Sequence, residues 1–374
     1  MYLGYPLLLV VLAHLRPRPH RRAPQLKPIT VIVPAHDEEA VIERKVRNVL
    51  DGSYPRNLVE VIVASDGSTD RTVELARGAG ATVLDLPRSG KVGALTAAAA
   101  EARGEILVFT DADCMLEPHS LGELVANFAD PEVGGATANE VRRGAAEFGG
   151  VSRGEGLYWR YEQWIKRLED RVGSTVSACG SLYAVRRSLF RAPTATAGND
   201  DVLISTEVVR RGSRLVFDER ALVIVGSTKR GGDEFRRKIR IVNGGLRTWL
   251  SLGELLDPRR HGLYALQVWS RKILRRLLPF TLLALFVSSA WLAASEPWWW
   301  IVFAPQVLVA LLASAGWCLR RRPAGRRRAL WIPYYFALAN VAAGVAVLSL
   351  AAGLRFERWK PSGRDEIGVK TPAG

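Results

Sequence analysis

Ile106-Leu107-Val108-Phe109-Thr110-Asp111-Ala112-Asp113 is the stretch of this 374-residue chain whose reading decides the fold. A short apolar run stops at two carboxylates in i, i+2 relation. The run predicts a strand over Ile106–Thr110 that is buried on both faces, with the acids at its C-terminal end. The same grammar repeats upstream. Ile29–Val33 is a β-branched run ended by Pro34, and a helical pattern covers Glu38–Leu50. Val59–Ala64 and Ala81–Leu84 read as further strands, with helices expected over Asp70–Arg77 and Val92–Ala102. Short continuous strands alternating with helices predict a parallel α/β sheet, in which ligands bind beyond the carboxyl ends of the strands.

Polar residues collect at those ends. Pro34-Ala35-His36-Asp37-Glu38-Glu39 follows the first strand and Ser65-Asp66-Gly67-Ser68-Thr69-Asp70 the second. Asp70 or Thr69 is expected to cap the next helix, leaving Asp66 free to accept hydrogen bonds from a base or ribose. Glu38 and Glu39 open a helix, where a carboxylate also suits the dipole. Lys91 begins a helix, which is unfavourable for a cation unless an anion lies near, so a phosphate contact is expected there. Asp111 and Asp113 can turn toward one ion. Mg2+ and Mn2+ prefer such oxygen ligands and share them with substrate phosphates. Gly198-Asn199-Asp200-Asp201 precedes a helical stretch. It reads either as an N-cap cluster or as a carboxylate base for an acceptor hydroxyl.

Charge and hydropathy divide the chain differently. Lysine and arginine total 52 against 37 acids, a formal net charge of +15. The basic residues flank apolar runs: Arg16 to Lys27 after an apolar N-terminus, Arg271 to Arg276 before a second run, and Arg320 to Arg328 between two others. This fits membrane flanks and the positive-inside rule rather than nucleic acid. Met1–Leu15 is short for a span, which needs about 20 residues. It reads as the end of a transmembrane helix or as an interfacial anchor. Leu277–Ala294, Trp298–Leu319 and Leu330–Leu354 are candidate spans. The arginine loop before the last one predicts a cytoplasmic domain between Lys27 and Arg276, although alternation then puts the basic tail Arg355, Arg358, Lys360 and Arg364 outside. Arg236–Leu255 and His261–Leu278 look amphipathic, either lying in the headgroup plane or packed as surface helices. The expected organisation is an N-terminal membrane segment over 1–15, a catalytic domain over 28–230, interfacial helices over 232–276, transmembrane helices over 277–354 and a tail over 355–374. Cys114, Cys179 and Cys318 share no metal-site spacing and read as small buried hydrophobes.

The ordered set from Pro34–Glu39 through Asp66–Asp70, Gly90-Lys91, Asp111–Asp113 and Gly198–Asp201 to Arg237–Gly245 resembles family 2 glycosyltransferases. The likeness is to the membrane-embedded branch with cellulose, hyaluronan and poly-N-acetylglucosamine synthases. It implies a GT-A fold, which is Rossmann-like, an inverting transfer and a Mg2+ or Mn2+ requirement. By resemblance, Ala35, Glu38, Asp66 and Lys91 line the nucleotide of a UDP-sugar. Asp111 contacts the donor, Asp113 the metal, and Asp201, beside Asp200, is the base. Cys179, Gly180 and Ser181 fall where the family binds its acceptor, and Arg240 matches the arginine that holds the diphosphate. Processive members usually carry Q-x-x-R-W, where this chain has Arg237 and Ile241 in place of the glutamine and tryptophan. The acceptor is therefore expected to be a polysaccharide or, as an alternative, a lipid-linked sugar. A dinucleotide-dependent oxidoreductase would need glycines after the first strand, and Pro34–Glu39 has none. A nucleotidyltransferase would need neither spans nor a distant base.

Overall fold

The computed structural model describes residues 3–142, 151–193, 199–226, 231–320 and 322–354. The chain divides into two compact units, one built on a sheet and one built of helices. In chain order the sheet unit contains α1 (Gly4–Leu15), β1 (Ile29–Ala35), α2 (Ile42–Leu50), β2 (Val59–Asp66), α3 (Thr72–Gly78), β3 (Thr82–Leu86), α4 (Lys91–Glu101), β4 (Ile106–Phe109), β5 (Cys114–Leu116), α5 (Ser120–Ala126) and β6 (Val133–Arg142). It continues through the second half of α6 (Val151–Val172), then β7 (Tyr183–Arg186), α7 (Asp200–Arg210) and β8 (Arg214–Val225).

The strands form a mixed sheet in the order β3-β2-β1-β4-β7-β6-β8-β5. The α/β expectation holds, while the sheet is not all parallel: β3, β2, β1 and β4 pair in parallel, as do β6 and β8, and the other pairs are antiparallel. β1 runs parallel to β2 and β4, placing Val31 opposite both Val61 and Val108. β7 then enters antiparallel to β4, and β5 antiparallel to β8. β1 and β4 are largely apolar and fully buried because both faces are covered. Val31 and Val33 pack with Ile42, Val46 and Val49 of α2 on one face. Ile32, Ile62, Leu107 and Phe109 pack with Ala94, Leu95 and Ala98 of α4 on the other. Burying each such side chain is worth about 1.5–3 kcal/mol.

α1 has 12 residues and folds onto the sheet unit. Leu9 and Ala13 are buried, and the buried Tyr5 hydroxyl donates to Glu169 Oε1 at 2.6 Å. The basic stretch that follows is more than a membrane flank. Arg22 pairs with Asp218 and Glu123, Lys27 with Glu105 at 2.7 Å, and Arg18 N–H donates to Arg171 O at 2.8 Å. Carboxylates on the sheet unit thus use part of the charge that composition assigned to lipid.

The helical unit comprises the first turns of α6, then α8 (Gly231–Ser251), α9 (Pro258–Val268), α10 (Arg275–Ser295), α11 (Trp300–Leu319) and α12 (Arg328–Ala351). Asp257 caps α9 by accepting from Arg259 N–H at 2.9 Å. A π turn over Trp269–Leu274 carries α9 directly into α10, so His261–Leu278 is not a separate helix. Among the described residues, Pro258–Ser295, Pro297–Leu319 and Arg328–Ala351 are long and apolar enough to cross a membrane. α8 is a packed helix. Its Ile239 is buried with Ala342 and Ala346 of α12. Asn243 Nδ2 donates to Ala346 O at 3.3 Å, and Lys238 lies 4.7 Å from the Tyr335 ring centroid. Ile239, Leu246 and Trp249 of that apolar stripe are buried, while Ile241 and Leu250 remain exposed. The basic tail lies outside the described residues.

Candidate active site

The loops after β1 and β2 are stitched to each other. Asp37 has a φ of 53°, a left-handed conformation. Its carboxylate accepts from Thr69 N–H at 2.8 Å. Glu38 N–H donates to Thr72 Oγ1 at 2.8 Å and Glu39 N–H to Asp70 Oδ2 at 3.1 Å. Asp70 also accepts from Thr72 N–H at 3.0 Å at the start of α3. Burial would raise the Asp70 carboxyl, but the hydrogen bonds from Thr72 and Glu39 hold it below the usual carboxylate range. These short polar residues make a rigid rim beyond the sheet. Ala35 is buried at its base, and Glu38 is half-buried on it.

Asp66 already accepts hydrogen bonds from a neighbouring turn. It is buried, and its carboxylate accepts from Ser89 N–H at 2.6 Å and Gly90 N–H at 2.9 Å, with Arg88 Nη1 at 3.4 Å. A carboxylate at a strand end finds backbone donors before it finds a base, and here it shapes the turn that launches α4. Gly90 holds a φ of 84° in that turn.

Lys91 is the hub of the acidic cluster. Its Nζ lies 2.8 Å from Asp111 Oδ1 and 3.1 Å from Asp200 Oδ2. Burial alone would lower its pKa, but Asp111 and then Asp200 outweigh burial and keep the ammonium charged far above neutral pH. Gly180 sits beside the same acids. A Cβ there would stand 3.7 Å from Asp201 Cβ and 3.8 Å from Asp111 Oδ2. The loop carrying Cys179, Gly180 and Ser181 is pinned by Ala178 N–H to Ser205 Oγ of α7 at 3.0 Å, and by Cys179 N–H to Thr137 Oγ1 of β6 at 3.0 Å. The Tyr183 phenol is buried behind the cluster, stacked on Phe109 with centroids 5.0 Å apart. Burial, then Asp200, Asp201 and Asp111, push its pKa well above the usual value. Asp111, Asp200, Asp201, Lys91 and Gly180, spread over more than 100 residues of sequence, therefore lie side by side. Asp113 lies half-buried on the same turn as Asp111. Gly198 lies outside the described residues, and Arg240 is exposed on α8 in the helical unit.

Lys45 was not anticipated. It is fully buried under the aspartate turn, where Nζ donates to Thr110 Oγ1 and to Cys114 O, each at 2.8 Å. Desolvation lowers its pKa, against the pull of Cys114, Asp111 and Asp113. Burial in turn pushes the Cys114 thiol up to about 11. A signal existed. Ile42, Lys45, Val46 and Val49 fall at i, i+3, i+4 and i+7, so a lysine stands on the apolar stripe of α2.

Residues 30–192 match the family model described as glycosyl transferase family 2. The chain carries a family 2 glycosyltransferase domain. Among curated proteins, the chain is 30% identical over 127 residues to the probable glycosyltransferase YdaM of Bacillus subtilis (strain 168), covering 32% of this chain and 30% of that one. It is 24% identical over 245 residues to a poly-beta-1,6-N-acetyl-D-glucosamine synthase of Staphylococcus aureus (strain COL), covering 62% and 58%. The chain thus spans about a third to three-fifths of the length of these relatives. Among solved structures it is similar to the mannosyltransferase PcManGT from Pyrobaculum calidifontis in complex with GDP-Man and Mn2+. The TM-score is 0.65 at 24% identity, over 93% of this chain and 95% of that one. The likeness shows the GT-A fold followed by C-terminal helices.

Proposed function

We propose that the sheet unit transfers a sugar from a UDP-sugar to the hydroxyl of a growing polysaccharide at a membrane, with inversion at the anomeric carbon. The observation that carries this reading is Lys91 bridging Asp111 and Asp200, with Asp201 and Gly180 alongside. Lys91 ties the proposed donor turn to the helix start that carries the proposed base, and Gly180 of the proposed acceptor loop lies beside Asp111 and Asp201. Asp201 takes the proton of the acceptor hydroxyl as its oxygen attacks the anomeric carbon. The bond to the diphosphate breaks, and the electron pair leaves on a phosphate oxygen. Lys91 supplies positive charge to that leaving group. Ala35 and Glu38 line the nucleotide, and Asp66 acts through the 88–90 turn it organises. Asp200 holds Lys91 in place, and Cys179, Gly180 and Ser181 form the acceptor wall.

The donor set suits a hard cation. Asp111 and Asp113 offer two carboxylates from one turn, and no group of three or more His, Cys, Asp or Glu side chains is gathered among the described residues. Mg2+ and Mn2+ are held in this way, by one or two carboxylates with waters and substrate phosphates. When bound to Asp113 and Asp111, such an ion neutralises charge developing on the diphosphate. The family likeness to a named polysaccharide synthase supports the polysaccharide acceptor. Ile241, standing where processive members carry tryptophan, favours a second reading in which one sugar is added to a lipid-linked acceptor. The arginines between α11 and α12 support a plasma-membrane location with that loop cytoplasmic.

The full chain in lipid nanodiscs, given a panel of nucleotide-sugars with Mn2+ or Mg2+, releases nucleoside diphosphate from one donor. Asp201→Asn lowers that turnover by about 10^2–10^4-fold. Asp113→Asn loses it together with the metal dependence. Long product supports the polymerase reading, and a single-sugar lipid the second one. Undiminished turnover in Asp201→Asn sinks the base assignment.

A further inference from the structure

We propose that Lys45 is a positioning residue that locks the aspartate turn and the 179–181 loop into one register, and so sets the affinity of the Asp111–Asp113 turn for a divalent cation. This rests on the metal reading given above. Two hydrogen-bonded routes leave the buried ammonium. One passes through Thr110, whose Oγ1 accepts from Lys45 and donates to Ser181 O at 2.7 Å. The other passes through Cys114, whose carbonyl accepts from Lys45 and whose Sγ lies 3.1 Å from Ser181 O and 3.2 Å from Asp111 O. The same helix grips the far side of the turn, as Asn48 exchanges hydrogen bonds with Leu116 at 2.8 and 2.9 Å. Helix α2 thereby brackets residues 110–116, the segment that carries both aspartates.

A buried ammonium is an expensive way to fix a turn, since neutral donors cost less to desolvate. What it offers is three donors on one atom, and the turn presents fixed acceptors to it in Thr110 Oγ1 and Cys114 O. Charge alone argues the other way, because a cation under the turn repels a metal ion above it. Placement and charge therefore predict opposite signs when the ammonium is removed.

The test is Mn2+ binding to the full chain in nanodiscs with saturating UDP, followed by electron paramagnetic resonance of the free ion, alongside thermal unfolding. Lys45→Met keeps the length and the apolar stem. We expect it to weaken Mn2+ binding by about 10- to 100-fold, as loss of a partner behind a ligand does. Lys45→Gln keeps a neutral donor, falls between the two, and is read alone against wild type if the methionine chain does not fold. Unchanged or tighter Mn2+ binding in the folded variants overturns the proposal. So does a fall in thermal stability with the binding constant intact, which would make Lys45 merely structural. If the wild type binds no Mn2+ that Asp113→Asn abolishes, the metal reading itself fails and this proposal falls with it.

Discussion

Leu107 and Leu311 are the same residue in two solvents. Leu107 is 0% exposed, between α4 and the strands beside it, whereas Leu311 is 63% exposed in the middle of α11. Across the sheet unit the apolar strand residues are covered on both faces. Along α10 to α12, Leu283, Trp291, Ile301 and Val341 stand open. Such a surface calls for an apolar partner, and under the membrane reading proposed above lipid would complete for the helical unit what side chains complete for the sheet. Hydrophobicity alone did not distinguish the two. Length did, since the strands run 4–8 residues in β1 to β4 and the apolar helices 20–24 in α10 to α12.

The contrast can be broken by substitution. Leu107→Ala leaves a closed cavity and should cost about 2–5 kcal/mol of stability, read from the denaturant midpoint. Leu311→Ala should leave that midpoint unchanged, since lipid refills the space. Equal losses at the two positions would mean that Leu311 is packed against protein in the native assembly. Leu311→Arg sharpens the point. It should cost about 2.5–3.5 kcal/mol of insertion, seen as a shifted glycosylation-mapping ratio, with the sheet unit still folded. Asp70→Asn probes the polar rim, where the expected loss is about 0.5–1 kcal/mol, held low by solvent around the carboxylate. Because Asp70 titrates below its ordinary range when folded, its contribution is full above the unfolded pKa of about 4 and is lost as pH falls through the folded value. The gap between wild type and variant should therefore be widest near neutrality and close in acid.

The first half of the sheet was legible because each strand is an uninterrupted apolar run. Ile29–Val33 became Ile29–Ala35, and Ala81–Leu84 became Thr82–Leu86. The extra residues are where the polar rim pairs with its neighbour. The reversal at β7 left no such mark, because strand direction is fixed by partners distant in sequence. In the site, the Asp111–Asp113 turn and the Asp200–Asp201 pair were readable from residue type and order. That Lys91 joins them was not, since nothing local links position 91 to position 200. Asp66 was placed at the correct strand end, but its hydrogen bonds from the 88–90 turn were not foreseen, because backbone N–H groups of a turn carry no signature in residue identity.

The three cysteines form a graded set of chemical reporters. Cys114 is sealed and holds its proton, Cys179 is half-covered, and Cys318 is exposed near the end of α11, two residues before Arg320. A maleimide that cannot cross bilayers should leave Cys318 untouched on intact cells and modify it in inverted vesicles, if the arginine loop is cytoplasmic. Cys114 stays silent in both until denaturant is added, so one unmutated chain carries its own topology label and its own unfolding alarm.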